Sequence, residues 1–147
     1  MDFPARRARP CAAPEDLIRG LKSSPKEVLC SRDYMAVYDS EEEIKAISPD
    51  FDFLMNLDCL GIIVTAPGKS ADFVLRFFAP RFGVPEDPVT GSAHCTLIPY
   101  WSERLGKKEL HAFQLSKRGG ELYCKNRGKR VIIAGKAVLY REGTITV

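Results

Sequence analysis

Short alternations and short apolar runs dominate the pattern of hydrophobic and polar positions, and they predict many short strands with few helices. Asp2-Phe3-Pro4 reads as a short edge strand, and the rest of residues 1–13, rich in Arg, Pro and Ala, as a mobile arm. Pro14-Glu15-Asp16 opens a short helix to Leu21, with Pro and acidic residues where a first turn accepts them. Glu27–Ser31 and Tyr34–Tyr38 are predicted strands around an Arg32-Asp33 turn. Ser40-Glu41-Glu42-Glu43 has the spacing of a capping box before a helix carrying Ile44 and Ile47, and Phe51–Leu57 reads as another short helix. Leu60–Ala66 is a continuous apolar run, hence a buried strand, and Asp72–Ala79 reads as the next one. Pro80–Thr90 is a loop rich in Pro and Gly. Gly91–Leu105 is predicted helical, with Ala93, Leu97, Ile98, Tyr100 and Trp101 spread most of the way round it and Pro99 inside. A helix apolar on nearly all faces is one buried on nearly all faces. Strands are expected at Glu109–Ser116, Gly120–Asn126, Arg130–Ala134, Lys136–Arg141 and Thr144–Val147, separated by Gly- and Asn-bearing turns. The expected architecture is α+β, a curved, mostly antiparallel sheet or barrel around the helix that starts near Gly91.

Composition narrows the class. A chain of 147 residues with 45% hydrophobic and 28% charged residues suits one domain with a real core. Its net charge of +3 is too balanced to argue for nucleic acid or a membrane surface as partner. Apolar runs such as Gly61–Ala66 fall far short of the roughly 20 residues a membrane span needs. Met1–Arg7 has no apolar signal-peptide core, so a cytoplasmic location is expected. The cysteines, Cys11, Cys30, Cys59, Cys95 and Cys124, are odd in number and form no close pair, and His94 and His111 have no ligand-like spacing. A structural zinc site is not expected, and the thiols read as reduced packing groups.

Chemistry concentrates between Phe78 and Cys95. Here a strand ends, a Pro-stiffened loop follows, and the buried helix begins at Thr90-Gly91-Ser92. The first turn of a helix has amides without internal partners, and with the helix dipole they bind carboxylates or phosphates. Gly91 lets a ligand approach the backbone, and Thr90 and Ser92 bring hydroxyls to the same point. Glu86 and Asp87, held by Pro85 and Pro88, place carboxylates just upstream as candidate proton carriers. Asp-Pro-x-Thr-Gly-Ser also fits a plain turn with an N-cap. His94 reads either as a ligand or proton-relay group or as an imidazole satisfied by a backbone carbonyl. Cys95 reads as a thiolate base or as a packed thiol. Lys117 and Arg118 read as an anion contact or as a solvated basic turn.

Glu86-Asp87-Pro88-Val89-Thr90-Gly91-Ser92-Ala93-His94 resembles the signature of the phenazine-biosynthesis-like (PhzF-like) isomerase family. Arg76–Pro80, Pro99-Tyr100-Trp101, Leu105-Gly106-Lys107 and Gln114–Gly120 resemble further family segments in the same order, and Asp2–Ala5 resembles the entry into the family's second domain. The resemblance covers essentially the whole chain and is nearest to members like the MAWD-binding protein. It implies a diaminopimelate-epimerase-like fold, in which two domains each wrap a sheet around a central helix and the site lies between them. It further implies cofactor- and metal-free proton transfer on a small anionic substrate. Carried over, Asp87 is an acid/base or orienting group, Ser92 holds the substrate, and the Gly91 and Ser92 amides bind its carboxylate. Thr90 and His94 are grouped with them as substrate-binding positions. The family's principal glutamate and a site histidine belong to the first domain, and no segment here resembles that domain. Residues 1–147 are therefore expected to be one domain supplying one wall of a cleft. Pro88 stands where fold relatives with cysteine pairs carry a cysteine, which disfavours a cysteine racemase. Three expectations follow: an isomerase domain completed by a homodimer or a separate partner domain, a non-catalytic binding module, or a fragment without activity.

Overall fold

The computed structural model describes residues 1–146. In chain order its strands are β1 (Asp2–Pro4), β2 (Arg9–Pro10), β3 (Glu27–Cys30), β4 (Tyr34–Val37), β5 (Ile62–Pro67), β6 (Phe73–Phe78), β7 (Glu109–Gln114), β8 (Gly120–Asn126) and β9 (Arg130–Gly135). The helices are α1 (Glu15–Leu21), α2 (Glu41–Ala46), α3 (Phe51–Leu54) and α4 (Gly91–Leu105). The strands among the described residues form one curved, unclosed sheet in the order β1-β9-β8-β7-β6-β5-β4-β3-β2. Only β4–β5 and β6–β7 pair in parallel. The fold is α+β, as the apolar pattern predicts.

Alternation along the strands gives the sheet two buried faces. Phe73, Leu75 and Phe77 of β6 point to the face that holds α4, whereas Val74 and Phe78 point to the face covered by α1, α2 and α3. On β5, Ile63 joins the first face and Ile62 and Val64 the second. Strands buried on both sides have no polar phase, which explains the continuous apolar run there. Helix α2 starts where capping chemistry places it. Ser40 Oγ accepts the Glu43 amide, and Glu43 Oε2 accepts the Ser40 amide in return.

Helix α4 is the inner layer. Its Trp101 ring stacks on Phe73, with centroids 5.7 Å apart, and donates Nε1–H to Thr65 Oγ1 at 3.0 Å. Thr65 in turn donates to Val74 O at 2.7 Å. Pro99 inside the helix has no N–H, so the carbonyl of Cys95 one turn back loses its usual donor. The Arg6 amide takes that place at 2.8 Å. This bond, with Ala5 N–H to Lys129 O at 2.9 Å, holds residues 5–8 across the gap between the edge strands β1 and β2. Asp2–Pro4 forms the expected edge strand β1, and the following stretch, expected as a mobile arm, is instead tied down through β2, the Arg6 amide and the Cys11 amide on Val28 O.

The sheet ends earlier than the sequence pattern suggests. No strand forms at 136–141 or at 144–146. Strand β9 already pairs with β8 on one side and β1 on the other, so no edge beside it remains for a following strand. Val138, Leu139, Tyr140 and Ile145 are 79–98% exposed as a result. Val147, the end of the expected last strand, lies outside the described residues.

Thr65 tests the inner layer. Thr65→Val keeps the shape but strips the acceptor from Trp101 and the donor from Val74 O. Stability should fall by about 2 kcal/mol, read as a lower midpoint in urea unfolding followed by Trp101 fluorescence.

Candidate active site

The loop from Ala79 to Thr90 is fixed before it reaches α4. Gly83, at φ +75°, closes a 3-10 turn over Pro80–Phe82, and the Val84 carbonyl receives the Ala79 amide at 3.0 Å. Arg76 then grips Glu86 with both arms, Nε to Oε1 at 2.7 Å and Nη2 to Oε2 at 3.1 Å, while its Nη1 serves the Ile44 and Ile47 carbonyls. Glu86 is thus committed to a structural ion pair. The neighbouring Asp87 is left half-buried, its amide bonded to Phe77 O at 3.0 Å. Its carboxylate Oδ2 accepts the Thr90 hydroxyl at 2.6 Å.

Gln114, at the end of β7 and 1% exposed, staples this loop to the sheet. Its Oε1 accepts the Thr90 amide at 2.8 Å, and its Nε2 donates to Asp87 O at 2.6 Å and to Thr90 Oγ1 at 3.0 Å. Ser116 Oγ adds a bond to Pro88 O at 2.8 Å. Thr90 is the N-cap residue of α4, yet its hydroxyl caps no amide, being turned to Asp87. The amides of Gly91 and Ser92 donate to no protein atom among the described residues. Beyond its chain neighbours and the helix's own backbone, no atom lies within 4 Å of where a Cβ on Gly91 would stand. Ser92 is exposed, and its Oγ accepts Arg32 Nη2 at 3.0 Å. Asp87, Thr90, Gly91 and Ser92, separated in role by the sequence, therefore meet around one helix end.

His94 sits beneath this turn, not on it. Its ring is fully buried, 6.0 Å from the Phe73 ring centre. Nδ1 lies 2.8 Å from Thr90 O, a carbonyl that only accepts, so Nδ1 carries the proton and Nε2, without a partner, is the bare nitrogen. Of the two roles open to His94, the geometry matches the carbonyl-satisfied one. Cys95 is also buried, and burial raises its pKa despite the nearby Arg6 and Arg32 charges, which opposes a thiolate base. Arg118 lines a hollow together with Gly91, Val89, Gly120 and Lys136, and it lines a second one with Lys117, Glu86 and Pro88. Among the described residues all five cysteines are free, and no three His, Cys, Asp or Glu side chains are grouped to hold a metal ion. No described helix is long and apolar enough to cross a membrane.

Residues 16–143 match the profile of the family described as Phenazine biosynthesis-like protein. The chain belongs to this family. It is 52% identical over 145 residues to an uncharacterized isomerase of Pseudomonas aeruginosa, covering 99% of this chain and 56% of that protein. A putative phenazine biosynthesis PhzC/PhzF protein of Clostridium difficile superposes with a TM-score of 0.90 at 43% identity. A PhzF-family phenazine biosynthesis protein of Enterococcus faecalis does so with a TM-score of 0.92 at 42% identity. Each superposition covers all of this chain and 57% of the other. The phenazine-biosynthesis-like chain thus spans about half the length of the relatives it matches, and its fold is diaminopimelate-epimerase-like.

Reading this family member from sequence missed three contributors to the helix end. Gln114 carried a signal: it falls on the inward phase of β7, with Leu110 and Ala112, where a polar residue needs a purpose. Arg32 and Asp33 carried none, since they read as an ordinary turn sixty residues before Ser92. His94 offers a pH test. Burial, partly offset by the bond to Thr90 O, lowers its pKa from 6.5 to about 4. The unfolded chain therefore binds this proton near pH 6.5, and the folded chain only near pH 4. The stability that depends on the neutral ring is whole above pH 6.5 and is lost as pH falls toward 4, about 3 kcal/mol in all. Urea unfolding between pH 7.5 and 4.5 should show a shallower pH slope for His94→Phe than for wild type.

Proposed function

We propose that this chain is an isomerase-family domain that moves a proton on a small carboxylate-bearing substrate without cofactor or metal. The observation that carries this reading is the Asp87 carboxylate, hydrogen-bonded by Thr90 beside the undonated amides of Gly91 and Ser92. The substrate carboxylate binds those two amides at the positive end of α4, with the Ser92 hydroxyl beside it. That places its adjacent carbon within reach of Asp87. Thr90 occupies Oδ2, which leaves Oδ1 to give or take the proton. His94 holds the Thr90 carbonyl from below, and Gln114 fixes the distance between Asp87 and the helix.

The site is one-sided in this chain, which leaves substrate and carboxylate in water, and proton transfer needs the cleft closed by a second wall. We infer that a second domain, in another chain or in a second copy of this one, supplies it. The relatives' greater length supports this reading, as do the exposed apolar side chains of residues 138–145. Neither nucleic acid nor membrane has a part in the proposal. A cytoplasmic location belongs to the same reading.

Deuterium uptake is the direct measurement. Small cyclic and acyclic 2-amino and 2-hydroxy acids incubated in D2O with the folded chain should lose C–H signal by NMR. Asp87→Asn should cut that rate by at least about a hundredfold. Binding without exchange would exclude catalysis by this chain alone and leave a non-catalytic module or one half of a divided site. Gly91→Ala gives a separate check. Its methyl meets open space, so unfolding should be unchanged, while acid binding should weaken severalfold because the methyl occupies the approach to the amides.

A further inference from the structure

Asp33 is a charged residue in an unexpected place. Its side chain is fully buried at the β3–β4 turn, where an unpaired carboxylate would cost several kcal/mol. Arg32, the preceding residue, compensates it with a two-point grip, Nε to Oδ1 at 3.1 Å and Nη2 to Oδ2 at 2.8 Å. A guanidinium held at two points has its plane fixed. The second Nη2 hydrogen goes to Ser92 Oγ at 3.0 Å. Nη1 donates to no protein atom among the described residues, and the side chain is still 29% exposed. So a rigid cation borders the helix end with one donor edge unspent.

Ser92, whose hydroxyl accepts Arg32, is also one of the two residues at the start of α4 whose amides donate to no protein atom among the described residues. Asp33 is spoken for by Arg32, and Asp87 is turned to Thr90. One carboxylate ligand at this point would accept from both the free edge of Arg32 and the α4 amides.

We propose that Arg32, oriented by the buried Asp33, is a direct ligand of the substrate carboxylate. The proposal rests on the reading of Gly91 and Ser92 as the anion end of the site. It makes Asp33 a positioning residue and makes the site selective for acids over their neutral amides.

The test is an NMR titration of the isotopically labelled chain with lactate, with benzoate and with neutral lactamide. The two acids should shift the Gly91 and Ser92 amides together with the Arg32 Nε–Hε resonance, and lactamide should shift none of them. Arg32→Gln should weaken acid binding about tenfold or more. Arg32→Lys, which keeps the charge and loses the fork, should fall between. A silent Arg32 resonance, or undiminished affinity in Arg32→Gln, overturns this inference and makes Arg32 a strut for Ser92. The anion reading of Gly91 and Ser92 survives that result. Failure of either acid to shift the Gly91 and Ser92 amides in the wild type overturns both. Should Arg32→Gln not fold, the wild-type Nε resonance and Arg32→Lys decide the matter.

Discussion

Helix α4 buries nine of its fifteen residues, from Ala93 through Trp101 and Ser102, and so has no exposed face wide enough to let it rest on a sheet from one side. It must be wrapped. The sheet supplies the wrapping by curving, and residues 5–8 complete it by crossing the gap between β1 and β2. The one backbone defect in the helix, the missing N–H of Pro99, is what ties that crossing segment down, because the Cys95 carbonyl it frees is the acceptor for Arg6. Core packing and the path of the N-terminal segment are thus a single problem with one solution.

Enclosing the helix also makes its chemistry. With its sides covered, α4 presents only its ends to solvent, and its N-terminal end emerges beside the β3–β4 turn, the end of β7 and the loop before Thr90. Each of these contributes one fixed element: Arg32 from the turn, Gln114 from the strand, Asp87 from the loop. None of the three depends on a flexible side chain for its place, because Asp33, the Thr90 backbone and Phe77 O hold them in turn. The rigid support that the proposed acid–base chemistry needs comes from the same burial that stabilises the fold.

Much of this was legible in the sequence. The bounds of α4, Gly91–Leu105, follow from the Pro- and Gly-rich loop before it and the apolar residues around it, and the Ser40 capping box announced α2. The alternation of β6 and β8 gave their positions. Asp87, Thr90, Gly91 and Ser92 stood out because turn and helix-start residues lie next to one another in the chain. What was not legible depended on long-range pairing. Lys136–Arg141 has a strand's pattern, but the edge it would need beside β9 is taken by β1, a residue-distant partner that local pattern does not reveal. The short β2 was missed for the same reason, since two residues beside a proline become a strand only when β3 is there to receive them. His94 was ambiguous in sequence because its burial depends on Phe73, twenty-one positions away.

The pairing of β1 with β9 has a kinetic side. Asp2 meets Ile132 and Pro4 meets Arg130, so the loop these contacts close contains nearly the entire chain. The entropy of closing it is lost only after the intervening strands have brought the ends near one another. During synthesis, β1 emerges well before β9 and waits for its partner until β9 has been made. The segment bearing Arg6 therefore locks late, and the Cys95 carbonyl freed by Pro99 gains its donor only as folding finishes.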